Sequence, residues 1–207
     1  MEATENNLII TMSTKYIRNI SDILKRAEIQ NISSVSPTDL VQIVGTVVAI
    51  PKRITTKKRG YEGFSINNIR VGDKIFFRYD VVFDFRPISK VENIYRNMFE
   101  YRAKEYWLCN IQKLFGVIRE DRIIMLNGYV MLKDFPDDML FLHQSVKKIN
   151  GTKTSKIISI GEPKIKEKSI PAYAGDEVVF DPKKTAKYQI NNKTFTIIQQ
   201  KFLLGKI

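Results

Sequence analysis

The sequence predicts a mainly β chain in which one arrangement of strands is written twice. Short runs rich in Ile, Val, Phe and Tyr recur between Gly, Asn, Asp and Pro, the signature of strands bounded by turns. "VGDKIFF" (Val71 to Phe77) returns 103 residues later as "AGDEVVF" (Ala174 to Phe180). Other phrases return in the same order, which marks a repeat rather than chance likeness of apolar strands.

"NLIITM" (Asn7 to Met12) reads as the first strand and is matched with "DRIIML" (Asp121 to Leu126). "ISDILKRAEI" (Ile20 to Ile29) offers Ser21 as an N-cap and apolar Ile20, Ile23, Leu24 and Ala27 at helical spacing, which predicts a short helix. "GTVVAIPK" (Gly45 to Lys52) matches "SKIISIGEPK" (Ser155 to Lys164), with Val47, Val48 and Ile50 on Ile157, Ile158 and Ile160. Gly-Asp at 72–73 and 175–176 reads as a turn. There Gly supplies a positive φ, and the Asp side chain accepts backbone N–H bonds. The apolar triplet that follows starts a strand buried on both faces. "VENIYRNMFEYRAKEYW" (Val91 to Trp107) reads as one or two helical turns and is the main insertion of the first copy. "NN" at 191–192 marks a hairpin between "KYQI" and "TFTIIQ". "YWLCNIQKLFGVI" (Tyr106 to Ile118) matches "FTIIQQKFLLGKI" (Phe195 to Ile207), with Leu114, Gly116 and Ile118 on Leu203, Gly205 and Ile207. The copies are therefore expected at 1–118, with an insertion at about 84–104, and at 119–207. Offsets vary from 114 to 89, as when loops change length while strands persist.

Lys and Arg number 34 against 22 Asp and Glu in 207 residues, a net charge of +12. Such a surface attracts anions, nucleic acid or an acidic protein face among them; a Lys-rich solvated surface is the plain alternative. Cys109 is the one cysteine and excludes an intrachain disulfide; in "YWLCNI" it reads as a small core residue. "MEATENN" lacks the apolar stretch of a secretory signal. No apolar run approaches the roughly 20 residues of a membrane span. A cytoplasmic protein without a membrane role is the expectation.

Catalytic material is thin. His143 is the one histidine, so no Cys/His zinc cage forms within the chain. Asp137 and Asp138 are adjacent and in a strand face opposite sides. No phosphate-binding Gly loop or nucleophile elbow is present. Neither an enzyme nor a cofactor is expected. The basic residues gather in two equivalent loops. One holds Lys52, Arg53, Lys57, Lys58 and Arg59, the other Lys164, Lys166 and Lys168. They read either as anion contacts, with Tyr61 and Phe64 available for stacking, or as solvated loop tips.

The ordered set "DRIIML", a long polar loop with an apolar patch, "SKIISIGEP", "AGDEVVF", a hairpin and "FTIIQQKFLLGKI" resembles the GroES-type co-chaperonin family. The second copy matches over nearly its whole length. The first matches in "QIVGTVVAI", "VGDKIFF" and "YWLCNIQKLFGVI". The resemblance implies two tandem irregular β-barrels, with short helical turns in copy one, and a homo-oligomeric ring assembled through terminal strands. It implies a GroEL-type chaperonin as partner and a role in protein folding. The family's docking tripeptide falls on Leu140, Phe141 and Leu142, and the corresponding place in copy one is Ile23 and Leu24. The Gly-Gly that commonly precedes the tripeptide is replaced by Asp137, Asp138 and Met139, and the roof loops are basic. A Lys-, Ile- and Asn-rich tandem form suits a bacteriophage protein acting in a host cytoplasm. Two other readings stand beside the co-chaperonin: a ring-forming structural protein of a virion, and a basic nucleic-acid-binding β-barrel. Of these, the co-chaperonin alone needs Leu140–Leu142 exposed, whereas Met139–Leu142 also reads as a buried strand.

Overall fold

Burial that alternates residue by residue shapes the strands. In Val44–Ala49 half-buried and buried positions alternate throughout, the period of a pleated strand with one face on a core. A computed structural model describes residues 1–13, 44–54, 66–78, 81–82, 97–133, 151–162, 170–190 and 193–207. The chain divides into two units, Met1–Ile123 and Ile124–Ile207.

The first unit contains β1 (Asn7–Thr11), β2 (Val44–Ala49), β3 (Lys74–Phe77), β4 (Met98–Tyr101), β5 (Lys104–Asn110) and β6 (Leu114–Arg119); β7 (Arg122–Met125) follows β6 directly. The sheet order is β4-β5-β1-β2-β3-β6-β7. The second unit contains β8 (Tyr129–Leu132), β9 (Lys153–Ile160), β10 (Glu177–Phe180), β11 (Ala186–Ile190), β12 (Lys193–Gln199) and β13 (Leu203–Lys206), in the order β11-β12-β8-β9-β10-β13. With β7 set aside, the two orders are the same. Among the described residues neither sheet closes on itself.

The registers agree to the residue. Ile10 pairs Val47 as Leu132 pairs Ile157, each just after a bulge. Phe77 pairs Leu114 as Phe180 pairs Leu203, again across a bulge. Bulges bend strands and increase their twist, so shared bulges mean shared curvature. Val130, Leu132, Ile157, Val178, Phe180, Ile198 and Leu203 form the core of the second unit. Their register partners in the first unit, Leu8, Ile10, Val47, Ile75, Phe77, Cys109 and Leu114, are all buried. Ile198 and Leu203 come from β12 and β13, near opposite ends of the strand order, and meet in one core. The sheet is therefore curled.

Two expectations are corrected. The counterpart of "NLIITM" is not "DRIIML" but β8. Asn7–Ile10 pair with β5 as Tyr129–Leu132 pair with β12. The preceding turns agree as well: Asn6 has φ 64° and its carbonyl accepts the Ile111 N–H at 3.0 Å, while Gly128 has φ 69° and accepts the Gln200 N–H at 2.7 Å. "DRIIML" instead supplies β7. Secondly, of the stretch Val91–Trp107 read as helical turns before a strand at Tyr106, Met98–Glu105 holds none, and 91–96 lies outside the described residues. Met98–Tyr101 pairs antiparallel with Lys104–Trp107, and β5 pairs β1 in turn. Sheet pairing overrides the helical tendency of the Glu-, Arg- and Lys-rich stretch. The same hairpin is present as β11–β12, where Ile190 pairs Lys193. Ile20–Ile29 lies outside the described residues.

The β4–β5 turn holds Arg102 at φ 51° and Ala103 at φ 56°, left-handed values that side chains with a Cβ disfavour. Replacing Ala103 by Gly, the residue such two-residue turns prefer, is expected to stabilise the fold by roughly 1 kcal/mol, the left-handed penalty of a residue with a Cβ. Arg102 keeps its guanidinium over Tyr101, 5.2 Å from the ring centre. A urea midpoint that rises with unchanged slope checks this.

Candidate functional site: the Gly-Asp turns and the terminal strand edge

Both Gly-Asp turns are built as their residues require. Gly72 has φ 91° and Gly175 φ 97°, values open to Gly without steric cost. The Asp73 Oδ2 accepts the Arg70 N–H at 2.7 Å, and the Asp176 Oδ2 accepts the Tyr173 N–H at 2.8 Å. Each turn is stitched to the preceding strand by two bonds. The Val47 N–H donates to the Asp73 carbonyl at 2.9 Å, and the Gly72 N–H to the Val47 carbonyl at 2.8 Å. Ile157, Asp176 and Gly175 repeat this pair of bonds at 2.8 Å each.

Each carboxylate then takes a cation from the last strand of its unit. Arg119 donates to Asp73 through Nε at 2.9 Å and Nη2 at 2.6 Å, and through Nη2 to the Asn68 carbonyl at 3.0 Å. Lys206 Nζ lies 2.8 Å from Asp176 Oδ2 and 5.9 Å from the centre of the Tyr173 ring. The Arg119 guanidinium holds the Asp73 carboxyl below its ordinary range, and the Lys206 ammonium does the same to Asp176. The terminal strand of each unit is thereby fixed to its turn.

The outer edges of these strands differ. β6 carries β7, whereas β13 has β10 as its single neighbour among the described residues. Leu204 and Ile207 beside that edge are 57% and 59% exposed. A sheet edge of this kind presents unpaired N–H and C=O groups to another strand. Sequence reading missed Arg119 and Lys206. Both are visible as cations near the ends of the matched closing phrases, but nothing local names their partners.

Of the residues singled out in the sequence, Lys52 and Arg53 are described. Lys52 Nζ lies 2.7 Å from Glu2 Oε1, and Arg53 Nη2 lies 2.9 Å from Glu5 Oε1. The pairing lowers the Glu2 pKa and raises that of Lys52. Their charges are thus matched within the chain, alongside the parallel bridge between Ala3 and Pro51. Lys57, Lys58, Arg59, Lys164, Lys166 and Lys168 lie outside the described residues, as do Ile23, Leu24, Leu140, Phe141 and Leu142. The flanks of the last five are described. Ile23 and Leu24 fall between β1 and β2, and Leu140–Leu142 between β8 and β9, the same connection in each unit. Among the described residues no three His, Cys, Asp or Glu side chains gather as a metal site, and no helix is long and apolar enough to cross a membrane. No family model matches the chain, and no curated protein is significantly similar to it.

Proposed function

We propose that this protein is a tandem co-chaperonin-like subunit that forms a ring and caps a GroEL-type chaperonin, docking through the apolar residues of its β1–β2 and β8–β9 loops. One observation carries the reading. Strand order, register and bulges repeat around two Gly-Asp turns, and the loops bearing Ile23–Leu24 and Leu140–Leu142 occupy the same connection in each repeat. In this reading each curled sheet is an irregular GroES-like barrel. The edge of β13 is the assembly edge. β7, which leads into β8, pairs with β6; the segment leading into β1 of a second copy fills the corresponding place on β13. Docking loops that lose entropy on ordering bind weakly one at a time, and a ring recovers the affinity by presenting many. The protein then acts in the cytoplasm, a bacteriophage's host cytoplasm if phage-encoded.

Light scattering separates the parts of this reading. The free protein is expected at a multiple of its 24.0 kDa chain mass, and a GroEL-type chaperonin with ATP is expected to co-elute with it. A ring that never co-elutes identifies a structural assembly instead. A monomer at micromolar concentration that also fails to co-elute overturns both assembly and docking.

A further inference from the structure

Two lysines converge on one aromatic ring in the second unit, and a third adjoins one of them in the chain. The 3-10 turn Gln200–Phe202 is fixed by Gln200, which is buried and whose Nε2 donates to the Ile170 carbonyl at 3.1 Å. The turn Pro182–Lys184 is fixed at both ends. The Asp181 Oδ1 accepts the Lys183 N–H at 2.9 Å, and the Thr185 hydroxyl donates to the Pro182 carbonyl at 2.7 Å. Phe202 packs its half-buried ring against the core. Lys201 Nζ lies 4.9 Å from the ring centre and Lys184 Nζ 5.8 Å. Lys183, Lys184 and Lys201 are exposed, and none has a carboxylate within ion-pair distance among the described residues. Asp181, the nearest carboxylate in sequence, is bonded to the backbone of its own turn.

The fold does not require this cluster. At the register position of Lys184 the first unit has Val81, which is buried, and at that of Lys201 it has Gln112. The second unit thus gathers like charges on two rigid turns, an arrangement that costs energy until an anion neutralises it. Four other described cations do have carboxylate partners: Lys52 and Arg53 pair with Glu2 and Glu5, Arg119 with Asp73 and Lys206 with Asp176.

We infer that Lys184 and Lys201, set over Phe202, together with the exposed Lys183 on the same turn as Lys184, form a phosphate-contacting surface for single-stranded nucleic acid. Ammonium groups carried on fixed turns contact a phosphate backbone, and as they swing from the ring to the phosphates they uncover Phe202 as a stacking surface indifferent to sequence. This function is independent of chaperonin docking. The clamp lies on turns flanking β10–β13, not on the β8–β9 loop.

The test is fluorescence anisotropy of a labelled thymidylate 20-mer over a salt series. The wild type is compared with the triple variant Lys183→Glu/Lys184→Glu/Lys201→Glu. A control variant of equal net charge carries Lys74→Glu/Lys104→Glu/Lys133→Glu. All six lysines are exposed, so both variants are expected to melt as the wild type does. The clamp variant is expected to bind at least tenfold more weakly, with a log–log salt slope shallower by about 2, the contribution of three phosphate contacts on a single strand. The control is expected to lose less than threefold. Equal losses in the two variants would overturn the site. Displacement of the oligonucleotide by poly-glutamate at equal charge concentration would also overturn it, in favour of an acidic protein partner.

Discussion

Replacing Gly161 by Ala is expected to cost the second unit about 3 kcal/mol, the upper range for a group forced into packed structure. A Cβ there would stand 2.6 Å from the Leu126 carbonyl carbon and 2.8 Å from its Cα and N. All three are backbone atoms, so no side chain can swing aside. Both segments are tied to Tyr129: its N–H donates to the Leu126 carbonyl at 3.0 Å, and its carbonyl accepts the Gly161 N–H at 2.9 Å. The register counterpart of Gly161 in the first unit is Pro51, which bridges Ala3. The same approach of strand end to leading segment thus occurs there around a larger residue. A urea titration of Gly161→Ala is expected to show a much lower midpoint. An unchanged midpoint would mean that residues 126 and 161 do not approach in this way.

Replacing Asp73 by Ala is expected to cost about 3 kcal/mol, because it leaves Arg119 without its two-point partner and Arg70 without its N–H acceptor. The side chains of Asp73 and Arg119 are 6% and 23% exposed. Asp176→Ala removes a one-point, more exposed contact to Lys206 along with the Tyr173 N–H acceptor and is expected to cost less. The pH dependence has a definite sign. The Asp73 pKa is depressed in the folded state, so its contribution is fully present above the ordinary carboxylate pKa of about 4 and is lost as pH falls through the folded value. The stability gap between wild type and Asp73→Asn is therefore expected to be constant from pH 7 to 5 and to shrink below about pH 4. A gap undiminished between pH 5 and pH 2 would show that the ion pair is not its source.

Features of this fold were legible in proportion to how local their causes are. The Gly-Asp turns were readable because the positive φ and the carboxylate that caps the turn belong to neighbouring residues. The closing strands were readable because Leu114, Gly116, Leu203 and Gly205 keep both spacing and register with β3 and β10. The first strand of the second unit was not. "DRIIML" looks more like "NLIITM" than Tyr129–Leu132 does, and the choice is made by pairing with β12, a distant segment. The part of the β4–β5 hairpin before Tyr106 was read as helical turns because nothing within it announces that β1 lies alongside. The ion pairs of Arg119 and Lys206 were unreadable for the same reason, as was the meeting of Lys184 and Lys201 at Phe202. Each depends on two segments that only the folded sheet brings together.

Docking is the central claim, and the double variant Leu140→Ser/Leu142→Ser tests it most directly. The variant and the wild type are each melted, then chromatographed with a GroEL-type chaperonin and ATP. Residues that lie exposed on a loop tolerate substitution within about 0.5 kcal/mol, so the melting temperature is expected to hold. Co-elution is expected to disappear, because each weakened contact is multiplied around a ring. A collapse of the melt would instead identify Leu140 and Leu142 as core, at roughly 2–5 kcal/mol per site. That result, or co-elution of the variant as strong as that of the wild type, would contradict docking through this loop.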